Sequence, residues 1–405
     1  VARRRKIRLG YMTSDMRLHP VGFMLENLLK HSNRSMFDVT VFVNNEDNAF
    51  FSHCQQHYAW VHFVSIHDMP DTQALECLLR AHCDIIVDMM GHTRGSRCNL
   101  LSYQPAPIQI SYFAYPGTNG MKSIQYKIAD YHTVPTSAEK NFSETILRMP
   151  RGFQCYSPTD IVYSKVRNES STEKNGRWKL RELYENEATR SQLTETQTQQ
   201  AKMTHFGCFN NPHKLNDTTF DVWAEILKNV PDSILHLRYF LYEYSSIREN
   251  VYRAFESRGI ARHRLTIKSL PLNLALEEYH NIDIALDTFP YNGGTVSIEC
   301  LYMHTPFITL AGDSYVSRVG VSLLHTVGCP ELIASTKDDY VRYAIELSKD
   351  KIRLKSYHNT MRQKVLHSSI GDGKTFTKDM ESLFVDVCTR NNIEYGVEKL
   401  IEVYN

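Results

Sequence analysis

The chain has 405 residues, of which 42% are apolar and 22% charged, and this length exceeds what one hydrophobic core supports, so we expect two domains. Its 46 lysines and arginines nearly balance its 45 acidic residues, which argues against nucleic-acid binding, and no apolar run approaches the roughly 20 residues of a membrane span. The nine cysteines form no Cys-x-x-Cys pair, which argues against a metal site or a disulfide framework and favours a cytoplasmic protein.

The first half of the chain alternates strand-like and helix-like segments. Runs rich in Val and Ile predict strands at 6–12, 37–43, 60–66, 83–90 and 107–115. Apolar residues three and four positions apart predict helices at 19–31 and 72–82. This alternation indicates a parallel sheet wound on both faces, and we assign residues 1–158 to a first α/β domain.

A polar segment at 159–203 has few apolar anchors and is predicted to be a linker or insertion. The pattern resumes with strands at 204–209, 233–240, 264–269, 282–289 and 306–312 and a short one in 331–335. Helices are predicted at 217–229, 247–258, 274–281, 295–303 and 318–327, with three further helical segments ending near 390. Residues 204–405 therefore form a second doubly wound domain with a helical tail, and ligands should bind at the carboxyl ends of its strands.

The loop after the predicted strand at 282–289 is the most informative segment. It contains Gly293 and Gly294, and Thr295 and Val296 follow where a helix should begin. Glycines permit close backbone approach, and the amides at a helix start form an anion site. Glu299, one turn into that helix, could accept hydrogen bonds from a ribose. A tight turn followed by an ordinary helix cap is the alternative interpretation.

A second candidate site follows the strand at 204–209. Asn210 and Asn211 end this strand, and Lys214 lies just before a helix. A lysine there would supply positive charge to a leaving diphosphate, and an asparagine amide would add a neutral donor. An ordinary surface lysine is the alternative. Neither loop contains an Asp-x-Asp pair for a metal, so Lys214 and the helix-start amides would have to neutralise the diphosphate.

The first domain carries its own candidates in strand-end loops. His19 precedes Pro20 in the first of them and could act as general base for an acceptor hydroxyl, or could simply cap or pack. Two more loops, at 88–99 and 104–120, could cradle a sugar or a substrate backbone. The residues that would do so are Gly91, His92, Gly95, Pro116, Gly117 and Thr118.

These segments, in this order, resemble the O-GlcNAc transferase family, including its bacterial relatives and the plant SPINDLY branch. The resemblance is carried by HP at 19–20, GHTRG at 91–95, PAPIQ at 105–109, YPGT at 115–118, FNNPHK at 209–214, LDTFPYNGGT at 286–295 and SRVGVSLL at 317–324. It implies an α/β fold of the GT-B type, in which two Rossmann-like domains face each other across a cleft. It also implies an inverting, metal-independent transfer of a sugar from a nucleotide-sugar to Ser or Thr side chains of proteins.

The resemblance also implies roles for single residues. Lys214 is similar to the family's diphosphate-binding lysine, and Asn211 falls where the family has Gln or Asn near the same phosphates. His19 matches the cleft histidine of the N-terminal domain, whose role as base is disputed. Gly293, Gly294, Thr295 and Val296 occupy the position of the family's pyrophosphate-binding loop, and Glu299 that of its ribose-binding carboxylate. The backbone at Ser269 and Leu270 is where the edge of the nucleobase should be recognised.

The chain departs from the family pattern around the donor. Gly294, Thr295 and Val296 stand where the animal enzyme has His-Thr-Thr, Leu272 replaces a lysine, and Ala275 replaces a histidine. These changes leave two donors open. UDP-GlcNAc is the first expectation, and GDP-fucose, as in the SPINDLY branch, is the alternative. No further cofactor and no metal are expected.

A non-catalytic accessory subunit is a third interpretation, against which the retained Lys214, Glu299 and His19 argue. The tetratricopeptide repeats that usually recruit protein acceptors in this family are absent from the sequence. We therefore expect acceptor choice to depend on the cleft, on sequence missing from this chain or on a partner subunit.

Overall fold

The computed structural model describes residues 5–156, 181, 183, 185–270 and 276–395. The chain divides into two compact units, Val1–Ser157 with Ser369–Asn405, and Pro158–Ser368. Within the described part, no helix is both long and apolar enough to cross a membrane.

A seven-stranded parallel sheet forms the centre of the first unit, in the order β3-β2-β1-β4-β5-β6-β7. Its strands are β1 (Ile7–Thr13), β2 (Phe37–Val43), β3 (His62–Ser65), β4 (Ile85–Asp88), β5 (Ile108–Ser111), β6 (Tyr126–Ala129) and β7 (Thr145–Arg148). The helices between them are α1 (Pro20–His31), α2 (Ala49–His57) and α3 (Asp71–Arg80). Strands β4 and β5 are buried along their whole length, as expected where helices cover both faces of a parallel sheet.

The second unit contains a six-stranded parallel sheet in the order β10-β9-β8-β11-β12-β13. Its strands are β8 (Thr204–Cys208), β9 (Ser233–Arg238), β10 (Leu265–Lys268), β11 (Ile284–Leu286), β12 (Phe307–Leu310) and β13 (Ile333–Ala334). Its helices are α4 (Glu187–Arg190), α5 (Glu195–Lys202), α6 (Asp217–Asn229), α7 (Ser245–Glu256), α8 (Thr295–Tyr302), α9 (Val319–Thr326), α10 (Lys337–Lys349) and α11 (Lys351–Leu366).

Both sheets begin with the same order, in which the first strand lies between the second and the fourth. In this doubly wound arrangement the winding direction reverses beside the first strand, and the loops at that point diverge. The reversal falls between β1 and β4 in the first unit and between β8 and β11 in the second. The loops that the sequence singled out follow these strands, or their neighbours.

The last helix among the described residues, α12 (Gly373–Arg390), belongs by its contacts to the first unit, whereas the sequence placed it in the tail of the second domain. Its carboxylate Glu381 accepts hydrogen bonds from Ser32 Oγ and the Asn33 amide, at 2.9 and 2.8 Å. The ring of Phe384 packs edge-on against Phe37 of β2, with 6.4 Å between ring centres. These contacts couple residues about 350 positions apart, which no local pattern encodes.

Part of the predicted linker at 159–203 lies outside the described residues. The described part contains α4, α5 and Arg181, a buried side chain whose Nη1 lies 2.9 Å from Asp283 Oδ1. This end of the segment is therefore anchored to the second unit by a buried ion pair.

Candidate functional site

The loops after β8 and β11 meet at the point where the second sheet reverses its winding. Lys214, from the loop after β8, donates a hydrogen bond of 3.1 Å to Asn210 Oδ1. Its ammonium also donates at 2.8 Å to the backbone carbonyl oxygen of Asn292, in the loop after β11. The structure therefore brings the predicted lysine to the loop that carries Gly293 and Gly294.

The surroundings of Lys214 favour a cation at this position. Its ammonium lies 4.4 Å from the centre of the Tyr291 ring, a distance at which cation–π attraction operates. Burial lowers the pKa of Lys214, while the nearby Asp287 carboxylate acts in the opposite direction. The carboxylate thus helps this partly buried lysine to stay charged.

Asp287 is a buried residue that organises the glycine loop. Its carboxylate accepts hydrogen bonds from the amide of Gly293 at 2.7 Å and from Thr309 Oγ1 at 2.8 Å. Burial raises the pKa of Asp287 to about 6, against the effect of these donors and of Lys214. Sequence reasoning gave Asp287 no role, although a charged residue that ends an otherwise apolar strand was a usable signal.

Asn292 fixes the same loop from within. Its side-chain amide donates to the Thr288 carbonyl oxygen at 2.9 Å, and its Oδ1 accepts from the Gly320 amide at 3.2 Å. The residue is 1% exposed. Because both ends of this side chain bond to backbone, the position of the carbonyl that Lys214 contacts is set by the fold.

The start of α8 has the features of an anion site. Gly294 occupies the cap position, and no side chain caps the helix there; the first amides of a helix have no partner within it. A Cβ on Gly293 would lie 2.1 Å from Ser297 Oγ and 3.1 Å from Asn210 Nδ2. Gly293 therefore allows a close approach that any larger residue would obstruct. Thr295 and Val296 are the first two residues of the helix.

A small pocket lies beside this helix start, and Phe209, Tyr279 and Val296 are among the residues that line it. The rings of Phe209 and Tyr279 stack with 4.2 Å between their centres. The Tyr279 hydroxyl donates to the Val296 carbonyl oxygen at 3.0 Å. Glu299 is buried in the same helix.

The two other predicted donor-binding residues lie in the loops after β8 and β10. Asn211 caps the short turn that carries Lys214, its Oδ1 accepting from the His213 amide at 3.1 Å. Leu270 is half-buried and follows β10. Residues 272 and 275, where the chain departs from the family pattern, lie outside the described residues.

His19, in the first unit, caps α1. Its Nδ1 lies 3.3 Å from the Val21 amide nitrogen and 3.3 Å from Asp15 Oδ2. If Nδ1 accepts the amide hydrogen, the proton of a neutral ring lies on Nε2. If Nδ1 instead carries the proton and donates to Asp15, Nε2 has the lone pair of a general base. Burial lowers the pKa of His19, Asp15 raises it, and Arg17 lowers it further.

The remaining predicted residues lie in loops after β4 and β5. His92 Nε2 is 2.8 Å from the Asn119 carbonyl oxygen; because a carbonyl only accepts, Nε2 carries the proton and Nδ1 is the acceptor. Thr118 Oγ1 donates to Glu144 at 2.6 Å. Pro116 and Gly117 precede Thr118 in the same loop and are half-buried.

The candidate residues thus form two groups. In the second unit, Asn211, Lys214, Leu270, Gly293 and Gly294 lie in loops after strands, and Thr295, Val296 and Glu299 lie in the first turns of α8. In the first unit, His19, His92, Pro116, Gly117 and Thr118 lie in loops after strands. Within the described ranges, no group of three or more His, Cys, Asp or Glu side chains is placed to hold a metal ion.

Comparison with known sequences identifies relatives over most of the chain. A SPINDLY protein of Solanum lycopersicum, named a probable UDP-N-acetylglucosamine–peptide N-acetylglucosaminyltransferase, is 29% identical over 94% of this chain and 38% of its own length. The UDP-N-acetylglucosamine–peptide N-acetylglucosaminyltransferase of Caenorhabditis elegans is 24% identical over 93% of this chain and 40% of its own length. The chain therefore spans about two fifths of the curated relatives it matches.

Solved structures agree with this relationship. A mutant O-GlcNAc transferase of Thermobaculum terrenum matches with a TM-score of 0.82 and 27% identity, over 96% of this chain and 69% of that one. Anabaena HepE, in complex with UDP and glucose, matches with a TM-score of 0.56 over 94% of this chain and 100% of that one, at 12% identity, which speaks for the fold alone. The expected GT-B-like α/β fold, with two parallel sheets and flanking helices, is confirmed.

The profile of glycosyltransferase family 41 matches residues 1–205 and 186–380. This match covers both sheets and every loop described above. The chain belongs to glycosyltransferase family 41.

Proposed function

We propose that the chain is an inverting glycosyltransferase that moves N-acetylglucosamine from UDP-GlcNAc to Ser or Thr hydroxyls of protein acceptors. Family membership supports the reaction class. The names of the relatives, which specify UDP-N-acetylglucosamine and peptide, support the donor and the acceptor. The single observation that carries the proposal is the ammonium of Lys214 bonded to the loop that opens α8.

In this proposal the second unit binds the donor. The diphosphate lies at the amides of Gly294 and Thr295, with Lys214 as its counter-charge, and the Glu299 carboxylate accepts from the ribose hydroxyls. A diphosphate leaving group gains negative charge as its bond to the sugar breaks. A cation and helix-start amides that are already in place stabilise that charge without reorganisation.

The first unit supplies the acceptor side. The acceptor oxygen attacks the anomeric carbon, the bond from that carbon to the diphosphate oxygen breaks, and the configuration inverts. The acceptor proton passes to Nε2 of His19, provided that Asp15 holds the other ring proton on Nδ1, or else to a phosphate oxygen of the donor. His92 and Thr118, on neighbouring loops, contact the sugar or the acceptor backbone.

The counter-charge from Lys214 and the amides leads us to propose that transfer needs no metal. Activity unchanged by EDTA would support this, and a loss that Mg²⁺ restores would overturn it. The nine cysteines are all unpaired, which is typical of a reducing compartment and supports a cytoplasmic location. Acceptor recruitment remains assigned to the loops of the first unit, to sequence outside this chain or to a partner subunit.

GDP-fucose is the second candidate donor; the resemblance to the SPINDLY branch suggests it, whereas the names of the SPINDLY relatives specify UDP-N-acetylglucosamine. SPINDLY proteins reach 28 to 32% identity with this chain, against 24 to 25% for the C. elegans enzyme and the Arabidopsis SEC protein. The Gly294-Thr295-Val296 sequence, which departs from the animal pattern, lies where the donor diphosphate would bind.

Intact-mass analysis of candidate protein acceptors, incubated with the chain and either UDP-GlcNAc or GDP-fucose, distinguishes the candidates. The proposal predicts the mass increment of one N-acetylhexosamine with the first donor and no change with the second. A deoxyhexose increment with GDP-fucose would assign the alternative. Thermal stabilisation by neither UDP nor GDP would favour the non-catalytic accessory subunit.

A further inference from the structure

A row of buried polar side chains crosses the sheet of the first unit beneath its candidate loops. The register pairs Asp88 of β4 with Ser111 of β5, and Ser111 with Lys127 of β6. Residues paired across neighbouring strands point to the same face of a sheet. All three are at most 1% exposed, so this row lies inside the domain and not in the open site.

Burial of the Lys127 ammonium at this position is energetically unfavourable. A buried ammonium loses its hydration, and the protein must replace that hydration with acceptors and opposite charge. Lys127 Nζ donates to Ser111 Oγ at 3.2 Å and to the Tyr115 carbonyl oxygen at 3.0 Å. Burial lowers the pKa of Lys127 to about 8, while Glu144 and Asp88 act in the opposite direction.

The acids that face this lysine hold the two loops above it. Asp88 accepts from the amides of Met90 and Gly91, at 3.1 and 2.9 Å. Glu144 accepts from the Asn119 amide and from Thr118 Oγ1, both at 2.6 Å. Asp88 therefore fixes the backbone of the loop after β4, and Glu144 fixes the backbone of the loop after β5. Lys127 supplies positive charge to both carboxylates.

The two loops are also interlocked with each other. Gly91 has a φ of 54°, and a Cβ there would lie 2.3 Å from Cβ of Tyr115. The ring of His92 packs edge-on against Tyr115 with 5.1 Å between ring centres, and its Nε2 bonds to the Asn119 carbonyl oxygen. Movement of either loop would therefore displace His92.

We infer that Lys127 is a positioning residue for the acceptor side of the enzyme, which holds the His92 and Thr118 loops in place through Asp88, Glu144 and the Tyr115 carbonyl. This inference rests on the proposed function, because it takes those loops to contact sugar or acceptor. Lys127 is too deeply buried to contact substrate. Lys214 of the second unit differs in this respect, since it is only partly buried.

The test compares Lys127→Met, which removes the charge but keeps most of the side chain's length, with Lys122→Met at an exposed lysine nearby. A small displacement of positioned groups costs up to about a hundredfold in rate. For Lys127→Met we therefore expect kcat/KM for a Ser-containing peptide to fall at least about tenfold, and KM to rise. UDP affinity, measured by calorimetry, should stay within about twofold of wild type, because the second unit is untouched. Lys122→Met should match wild type in both.

Amide hydrogen exchange separates this inference from the proposed function. Lys127→Met should speed exchange at Gly91 and Asn119, whose amides Asp88 and Glu144 hold, even if no acceptor is ever found. An unchanged exchange rate at these two amides would overturn the inference. It would also be overturned if KM were unchanged and the loss of activity were fully explained by a smaller fraction of folded protein. If Lys127→Met does not fold, Ser111→Ala, which removes one acceptor from the ammonium, is judged by the same two readouts.

Discussion

The ammonium of Lys214 donates a 2.8 Å hydrogen bond to the backbone carbonyl oxygen of Asn292. This bond joins the loop after β8 to the loop after β11, the two strands between which the second sheet reverses. A lysine ammonium has three N–H donors, and the oxygens of Asn210 and Asn292 take two of them. Together with the Tyr291 ring, whose centre lies 4.4 Å from the ammonium, these oxygens orient the lysine without any ligand.

Gly293→Ala should weaken UDP binding at least about tenfold, because its Cβ would lie 2.1 Å from Ser297 Oγ and the loop would have to move away from the helix start. Calorimetry with UDP measures the effect. Ser297→Ala removes the obstructing oxygen, so the double variant Gly293→Ala/Ser297→Ala should recover much of the affinity. Equal affinities in the single and double variants would show that the close approach has no role in binding.

Asp287→Asn should reveal the cost of a buried charge. With a folded pKa of about 6 and an unfolded pKa of about 3.9, the native state binds more protons than the unfolded state between these values. The contribution of Asp287 to stability is therefore present at low pH and is lost as pH rises through 6. Between pH 4.5 and 7, the free energy of unfolding of wild type should therefore fall by about 2 kcal/mol relative to that of Asp287→Asn.

Urea unfolding at the two pH values measures that difference, and Asp338→Asn, at an exposed carboxylate, is the control for removing a charge. A constant difference between wild type and Asp287→Asn would contradict the raised pKa. A constant offset in addition to the pH-dependent part is expected, because an asparagine cannot accept from every donor that Asp287 holds.

Asp15→Asn should change both the rate and its pH dependence. Wild-type kcat/KM should fall as pH decreases through the lowered pKa of His19, because protonation removes the base. Asp15 raises the pKa of His19, so in Asp15→Asn this acid limb should move to lower pH. The rate above the limb should drop about tenfold or more, because the proton is no longer held on Nδ1.

Arg17 provides a control of opposite sign. Arg17 lowers the pKa of His19, so Arg17→Met should move the acid limb to higher pH. Identical pH profiles in wild type, Asp15→Asn and Arg17→Met would exclude His19 as the base and leave the donor phosphate in that role.

Much of the fold could be predicted because apolar runs mark buried parallel strands. The strands β6 and β7 were missed, since Lys127 interrupts the apolar pattern of the first and only one of the four residues of the second is buried. Helix α2 was missed as well; it has nine residues and only three are buried. Strands β1 and β2 have their predicted lengths. The other predicted strands are shorter than expected, and after β4, β5, β8 and β11 the predicted run extends into a loop that carries candidate residues.

The sequence placed Lys214 and Gly293 in the loops after two parallel strands, and the structure brings these two loops together. The roles of Lys214, Gly293 and Glu299 stay predictions. Asp287 and Asn292 were given no role, because their partners are backbone groups and side chains from distant segments. Thr309 lies 22 positions from Asp287 and Gly320 lies 28 from Asn292. Such contacts depend on which strands are neighbours in the sheet, which local sequence patterns do not specify.

The role of Lys214 is tested most directly by parallel transfer and binding assays on Lys214→Met and on Lys228→Met, at an exposed lysine of α6. Charge-assisted hydrogen bonds contribute about 1.5 to 3 kcal/mol, so UDP affinity should fall about tenfold to a hundredfold in Lys214→Met. Transfer should fall further, because charge on the diphosphate grows as the bond to the sugar breaks. Lys228→Met should match wild type. Wild-type transfer by a folded Lys214→Met would contradict the assignment of this lysine to the leaving diphosphate.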